Sequence, residues 1–161
     1  MDLSEVIDAY ILESEELLRD MENILLEMEK KKPTEDDLNA LFRAVHTIKG
    51  TSGMFGFEQT VKFTHKVENL LDDIRAGKVG FSKILADLLL RSKDQLDYLV
   101  TAEPKKEISA ERITMGEEIL EAIEPFLKGT SPNKNDDQVK VNNPPAALPT
   151  NSGTGSYLIS F

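Results

Sequence analysis

Apolar residues recur every three or four positions from the start of the chain to about residue 127, which is the spacing of one helix face. They form five runs, and four of the runs begin beside a side chain that can cap a helix: Asp2 or Ser4, Thr34, Ser82 and Ser109. The third run begins near Glu58 and ends at Gly77. Helices of this length with short connections pack as antiparallel neighbours. The pattern therefore predicts an all-α fold, an antiparallel four-helix bundle with a fifth C-terminal helix.

Three glycines, Gly50, Gly53 and Gly56, lie between the second and third runs. Glycine is unfavourable inside a helix, because it loses more backbone entropy than any other residue. We expect the three glycines to break the second helix into a short turn. That turn would make the second and third helices antiparallel. Because glycine has no side chain, little would project from the surface beside the turn.

The composition changes at Gly129, and 19 of the 33 residues in 129–161 are Gly, Pro, Ser, Thr or Asn. Such a segment buries too little apolar surface to offset its chain entropy. We predict a bundle domain over 1–128 and a flexible, disordered linker over 129–156. The apolar residues at 157–161 predict the start of a truncated next domain, and hence a longer multidomain parent protein.

Charge and composition exclude several classes of protein. The 161 residues carry a net charge of −10, which opposes binding to nucleic acid or to an anionic membrane surface. The chain has no Cys, so it holds neither disulfides nor a thiolate metal site. No apolar run is long enough to span a bilayer, and the N-terminus lacks the positive charge of a signal peptide. We expect a cytoplasmic domain that is monomeric by itself.

Candidate chemistry centres on the two histidines, since the sequence has no phosphate-binding P-loop, dinucleotide loop or Cys nucleophile. His46 falls at the flank of the second apolar stripe, with Lys49 and Gly50 three and four residues later. Glu68 falls at a similar flank of the third helix, three residues after His65. Because the two helices are antiparallel, these flanks can face one another.

An imidazole that donates its Nδ1 proton to a carboxylate keeps its Nε2 lone pair free and more basic. Such a ring is an activated nitrogen nucleophile. The cation of Lys49 would stabilise charge on an incoming phosphoryl group, and Gly50 would let a partner approach closely. A lone His-x-x-Glu pair on an outward flank does not make a di-iron site, so we expect no metal and no cofactor in this domain.

Three segments together resemble the histidine-containing phosphotransfer family, and most of all the N-terminal domains of chemotaxis histidine kinases. They are FRAVHTIKG at 42–50, GMFGF at 53–57 and HKVENLLD at 65–72. The resemblance covers about residues 1 to 128. It implies that His46 is the phosphoacceptor, modified on Nε2, and that Glu68 accepts the Nδ1 proton and orients the ring. Lys49 and His65 would support this geometry.

The resemblance also implies partners. A histidine kinase ATP-binding domain, expected in the same parent chain or dimer, would supply the phosphoryl group. A CheY-like response-regulator receiver domain would take it onto an Asp. ATP and Mg²⁺ would belong to these partner domains, and the segment would be a phosphotransfer module of a protein-histidine kinase. Partners would approach at Gly50, Gly53, Phe55 and Gly56.

Each of these residues has a simpler interpretation. Glu68 could form a surface ion pair with Lys66 or Arg75, Lys49 could lie along the apolar stripe, and His65 could be only an exposed histidine. The alternative function is a non-enzymatic adaptor bundle that binds a partner through an apolar patch. Phe55 and Phe57 are the first candidates for such a patch.

Overall fold

The structure, a computed structural model, describes residues 2–127. The predicted linker at 129–156 and the predicted domain start at 157–161 lie outside the described residues. The described part consists of helices and their connections, in the order α1 (Leu3–Met28), α2 (Glu35–Phe55), α3 (Glu58–Arg75), α4 (Lys83–Ala102) and α5 (Ala110–Leu127). None of these helices combines the length and the apolar composition needed to cross a membrane.

The first four helices pack in a closed square. Contacts join α1 to α2, α2 to α3, α3 to α4 and α4 back to α1, whereas α5 lies against α3 and α4. The centre of the square is filled by fully buried aliphatic side chains from all four helices: Leu18, Leu25, Leu41, Val45, Ile48, Val67, Leu70, Leu71, Leu85, Leu89 and Leu96. The predicted four-helix bundle with a fifth helix is therefore confirmed.

The helix starts follow the capping residues predicted from the sequence. Asp2 and Thr34 each form a reciprocal capping box, with Glu5 and Asp37 respectively. Ser82 accepts a hydrogen bond from the backbone N–H of Leu85, and Ser109 does the same for Arg112. These four caps are local in sequence, which is why the sequence alone reveals them.

The glycine turn is shorter than predicted. Helix α2 continues through Gly50 and Gly53, and only Gly56, at φ 75°, takes the left-handed conformation that ends it. The prediction of a break at Gly50 was wrong because tertiary contacts hold the last turns of α2. Ser52 is buried and hydrogen-bonded to the Tyr10 hydroxyl at 2.9 Å, and Phe55 packs against the ring of Tyr10. Together these contacts help to offset the low helix propensity of the two glycines.

Helix α3 begins without a cap of its own, since Phe57 at its N-cap position offers no side-chain hydrogen bond. Glu103, which follows α4, supplies the missing acceptor. Its carboxylate accepts the backbone N–H groups of Gln59 and Thr60, each at 2.8 Å, and the Thr60 hydroxyl at 2.7 Å. A negative charge at a helix N-terminus also complements the helix dipole. The start of the helix that carries Glu68 is thus held by a residue 43 positions away from Thr60.

Candidate functional site

His46 lies in the fourth turn of α2, on the outward side of the helix. Its neighbours Val45 and Ile48 are fully buried, whereas the His46 side chain is 61% exposed. The ring nitrogen Nδ1 is hydrogen-bonded to Glu68 Oε2 of α3. Within residues 2–127, Nε2 has no hydrogen-bond partner. One nitrogen is therefore held by the protein while the other remains available to an incoming group.

Glu68 is the buried member of the pair, with only 8% of its side chain exposed. Both of its carboxylate oxygens are occupied, Oε2 by the His46 ring and Oε1 by the Lys49 ammonium group. Burial by itself raises the pKa of Glu68, but the hydrogen bonds and charges of Lys49 and His46 outweigh burial and lower it. An ionised carboxylate can only accept hydrogen bonds, so Nδ1 of His46 must be the donor.

Lys49 follows His46 by three residues and reaches the same carboxylate as an ion pair. Its side chain is 27% exposed, which leaves part of the cation open to solvent beside the imidazole. The simpler interpretation, that Lys49 only lies along the apolar stripe, does not describe this contact. The structure thus brings together three of the predicted site residues, with His46 and Lys49 both bound to the carboxylate of Glu68.

His65 is not part of this group. It is exposed on α3, and no hydrogen bond or ion pair joins it to Glu68 in the described part of the chain. The two cations considered as alternative partners of Glu68 are engaged elsewhere. Lys66 pairs with Glu124 of α5, and Arg75 pairs with Asp72 at 2.9 Å. A surface ion pair therefore does not explain the position of Glu68.

The residues predicted to leave space for a partner differ in their exposure to solvent. Gly50 is exposed one turn beyond His46, and a Cβ added there would meet nothing within 4 Å. Gly53 is also exposed, with only Val61 at 3.9 Å from an added Cβ. Phe55 is half-buried rather than presented to solvent, and Gly56 forms the turn. Packing inside the chain therefore gives no reason for a glycine at position 50.

The apolar patch proposed for an adaptor is mostly covered. Phe55 and Phe57 stack on one another at 5.3 Å, and each also contacts the ring of Tyr10. Both are half-buried and pack against the core. Their contacts stabilise the junction of α1, α2 and α3 and leave only part of each ring exposed.

Sequence reasoning missed an aromatic contact on the imidazole. The rings of Phe42 and His46 are nearly parallel, 10° apart, with centroids separated by 5.8 Å. The guanidinium of Arg75, at the end of α3, lies 3.9 Å from the centroid of the Phe42 ring. The spacing of Phe42 and His46, four residues apart on one helix, was a signal available in the sequence. The position of Arg75 depends on how α3 packs against α2, so no local sequence pattern predicts it.

A groove runs between α1 and α2 beside the histidine. It has a volume of about 610 Å³ and is lined by apolar and small side chains with polar residues at its edge: Leu17, Asp20, Met21, Asn23, Ile24, Ala40, Arg43, Ala44 and Thr47. Arg43 and Thr47 lie three residues before and one residue after His46, on the side of α2 that faces α1, whereas the imidazole lies toward α3. Concave apolar surface with a polar rim is typical of a protein-binding site.

Metal binding is not supported by the arrangement of acidic and histidine side chains. Across residues 2–127, no group of three or more such residues is positioned to hold a metal ion. In addition, both oxygens of Glu68 are engaged by protein side chains.

Comparison with known proteins identifies relatives of this fold and sequence. Residues 5–102 match the family model described as Hpt domain. The chemotaxis protein CheA of Salmonella typhimurium is 40% identical over 117 residues, which cover 70% of this chain and 17% of that protein. CheA of Cereibacter sphaeroides is 32% identical in an alignment that covers 100% of this chain and 25% of the relative. The chain thus spans less than a third of the length of these two proteins.

Two solved structures are similar over most of the chain. One is the solution structure of a histidine phosphotransfer domain of CheA, with a TM-score of 0.68, 26% identity and coverage of 85% of this chain and 100% of that one. The other is a phosphorylated P1 domain of CheA3 in complex with CheY6 from R. sphaeroides. It has a TM-score of 0.71 and 24% identity, and it covers 80% of this chain and 100% of that domain, so it supports the fold alone.

Proposed function

The chain belongs to the Hpt domain family, and on this premise we propose that it carries phosphoryl groups in a chemotaxis phosphorelay, with His46 as the phosphoacceptor. A histidine kinase domain donates the group and a response-regulator receiver domain accepts it. The observation that carries this proposal is the asymmetry of the imidazole. Nδ1 donates to the buried carboxylate of Glu68, while the ring is 61% exposed and Nε2 is free to react.

Phosphoryl uptake follows from this geometry. The Nε2 lone pair of His46 attacks the γ-phosphorus of ATP held by the kinase domain. A P–N bond forms, the bond from the γ-phosphorus to the bridging oxygen breaks, and ADP leaves with that electron pair. The ring becomes positively charged, and the ionised Glu68 stabilises this charge while it keeps the Nδ1 proton in a hydrogen bond.

Transfer to the receiver reverses the role of the ring. An Asp carboxylate oxygen of the receiver attacks the phosphorus, the P–N bond breaks, and its electron pair returns to Nε2. The ammonium group of Lys49, held beside the imidazole by Glu68, lowers the cost of the negative phosphoryl oxygens in both steps. His46 needs no base of its own in either step, because Nε2 carries no proton to remove.

The cofactors of the reaction belong to the partners in this proposal. ATP is held by the kinase domain and Mg²⁺ by the kinase and receiver domains. Glu68 has no oxygen left for a metal, because His46 and Lys49 engage both. The chain corresponds to a small share of the CheA relatives, and we propose that its parent is a protein-histidine kinase of that kind. Because ATP is the phosphoryl source, we place the reaction in the cytoplasm.

The domain arrangement is likewise a proposal. We retain a bundle over 1–128, a linker over 129–156 and the start of a next domain at 157–161, on the change of composition at Gly129. A linker rich in Gly, Ser, Asn and Pro would let the bundle move between a kinase domain and a receiver.

We assign the receiver to the groove between α1 and α2. A receiver that covers this groove and the adjoining exposed face of α2 would bring its Asp to His46, and the bare backbone of Gly50 would let the two proteins approach closely. A Thr47→Arg change would add bulk and charge at the exposed edge of this groove. It should slow transfer to a CheY-like receiver while leaving uptake from a small phosphoryl donor unchanged.

The proposed phosphoacceptor can be tested with phosphoramidate as donor and ³¹P NMR as the readout. The wild-type domain should show one phosphohistidine signal, with ¹⁵N shifts assigning it to Nε2 of His46. Since the chain has two histidines, His65→Gln is the matched control and should retain the signal, whereas His46→Gln should lose it. An unchanged signal in His46→Gln would refute the proposal. Because Phe55 and Phe57 are largely packed away, no observation favours the adaptor as a second function.

A further inference from the structure

The seam between α2 and α3 contains a second set of contacts two helical turns from the His46–Glu68 pair. Asn39 lies seven residues before His46 on α2, and Arg75 lies seven residues after Glu68 on α3. Because the helices are antiparallel, the same displacement along each brings these residues together. Arg75 Nη1 donates to Asn39 Oδ1 at 3.0 Å. The two helices are therefore held in register on both sides of the position occupied by Phe42.

Phe42 connects this second set of contacts to the imidazole. Its ring lies under the guanidinium of Arg75 and is stacked, in nearly parallel planes, with the ring of His46. A side chain in an α-helix leans toward the N-terminus, so the His46 ring is directed toward the residue four positions earlier. The guanidinium is itself fixed by two acceptors, Asn39 on α2 and Asp72 on α3.

A hydrogen bond alone does not define the orientation of an imidazole. The contact from Nδ1 to Glu68 fixes one atom of the ring, but the ring plane can still tilt and rotate about that contact. Contact with a second aromatic plane restricts this remaining freedom. Since a nucleophile reacts fastest when its lone pair is already directed at the target, a loss of orientation lowers the rate.

From these contacts we infer that Phe42, held in place by Arg75, is a positioning residue for the phosphoacceptor. The inference rests on the proposed role of His46, and it adds two side chains to the machinery of the site. Glu68 sets the tautomer of the ring, whereas the stack of Arg75 and Phe42 sets its plane. Both residues act through the ring of His46 in this inference, Phe42 by direct contact and Arg75 through Phe42.

The inference is tested with Phe42→Leu, which retains an apolar side chain but removes the aromatic plane. Phe42→Tyr, which retains the ring, is the matched control. The first readout is the NMR order parameter of the ring C–H bonds of His46, which reports fast motion of the imidazole itself. The second is the first-order rate of phosphoryl uptake from phosphoramidate.

We expect Phe42→Leu to lower the ring order parameter and to slow uptake about three- to tenfold, in keeping with the size of aromatic pair interactions. Phe42→Tyr should resemble the wild type in both measurements. Arg75→Gln keeps the apolar packing of Phe42 and should shift both readouts in the same direction by a smaller factor. If Phe42→Leu does not fold, the comparison of Arg75→Gln with the wild type tests the inference.

Unchanged ring order and uptake in Phe42→Leu would overturn the inference, and so would an equal loss in Phe42→Tyr. The proposed function fails in a different way, when the wild-type domain takes up no phosphoryl group. The ring order parameter does not depend on phosphoryl transfer, so it still tests the stack in that case.

Discussion

Glu68 and His46 share one hydrogen bond but not one environment, because the carboxylate is 8% exposed and the imidazole 61%. The buried partner is fixed by the packing of α2 against α3, and it holds the exposed partner by one nitrogen. Since Lys49 occupies the second oxygen, the buried charge of Glu68 is compensated by two groups that both reach the surface. The site is thus rigid on its inner side and accessible on its outer side.

Replacing Glu68 with Gln should slow phosphoryl uptake by about 10- to 100-fold without removing the nucleophile. The amide can still contact Nδ1, but it neither compensates the ring charge nor selects one tautomer. Uptake from phosphoramidate, followed by ³¹P NMR, measures the rate. Glu124→Gln, which removes a carboxylate paired with Lys66 of α3, is the control for loss of charge. Equal rates in the two variants would contradict the role given to Glu68.

The lowered pKa of Glu68 predicts a contribution to stability that depends on pH. A carboxylate with a lower pKa in the folded state stabilises the fold above its ordinary pKa of 4.5, and this contribution disappears as the pH falls through the lowered value. The wild type should therefore exceed Glu68→Gln in free energy of unfolding near pH 7, with the difference shrinking below about pH 4.5. Urea unfolding at a series of pH values measures it. A difference in the free energy of unfolding that grows as the pH falls would contradict this prediction.

Gly50→Ala should stabilise the fold and impair its function. An alanine in the exposed interior of α2 is favoured over glycine by up to about 1 kcal/mol, and its Cβ meets no atom within 4 Å. The added methyl group lies one turn from His46, where a partner must approach. Urea unfolding and the rate of transfer to a receiver check the two halves of this prediction.

Gly53→Ala is the matched variant for Gly50→Ala. It lies in the same helix, seven residues from His46, and a Cβ added there would meet only Val61, at 3.9 Å. We expect a similar gain in stability with a smaller effect on transfer. If both variants transfer at the wild-type rate, Gly50 does not mark the docking surface.

Glu103→Gln should destabilise the bundle by about 1–2 kcal/mol, since it weakens the cap on the start of α3. Glu107→Gln removes the same charge from an exposed position in the following connection and should change stability by less than about 0.5 kcal/mol. Chemical denaturation of both variants gives the comparison. Equal midpoints would mean that α3 does not need this cap.

The helices and most of their ends could be predicted from the sequence because the forces that define them act over a few residues. Thr34 and Ser82 cap helices through bonds to residues three positions away. Gly56 ends α2 as a left-handed residue, a conformation that glycine adopts at little cost. The prediction failed at Gly50 and Gly53. There a hydrogen bond between Tyr10 and Ser52 helps to hold the last turns of the helix, and these two residues are 42 positions apart in sequence.

The histidine, its glycine and its cation were visible as one local pattern, and helical periodicity placed His46 and Glu68 on the flanks of neighbouring helices. The sequence by itself thus determined which faces are buried and which side chains share a turn. Only the tertiary structure decided that Glu68 is shared by His46 and Lys49, that His65 stays apart, and that Arg75 and Glu103 each contact a neighbouring helix. These contacts depend on the rotation and axial shift of one helix against another. Packing of the whole core sets both, and no short segment encodes them.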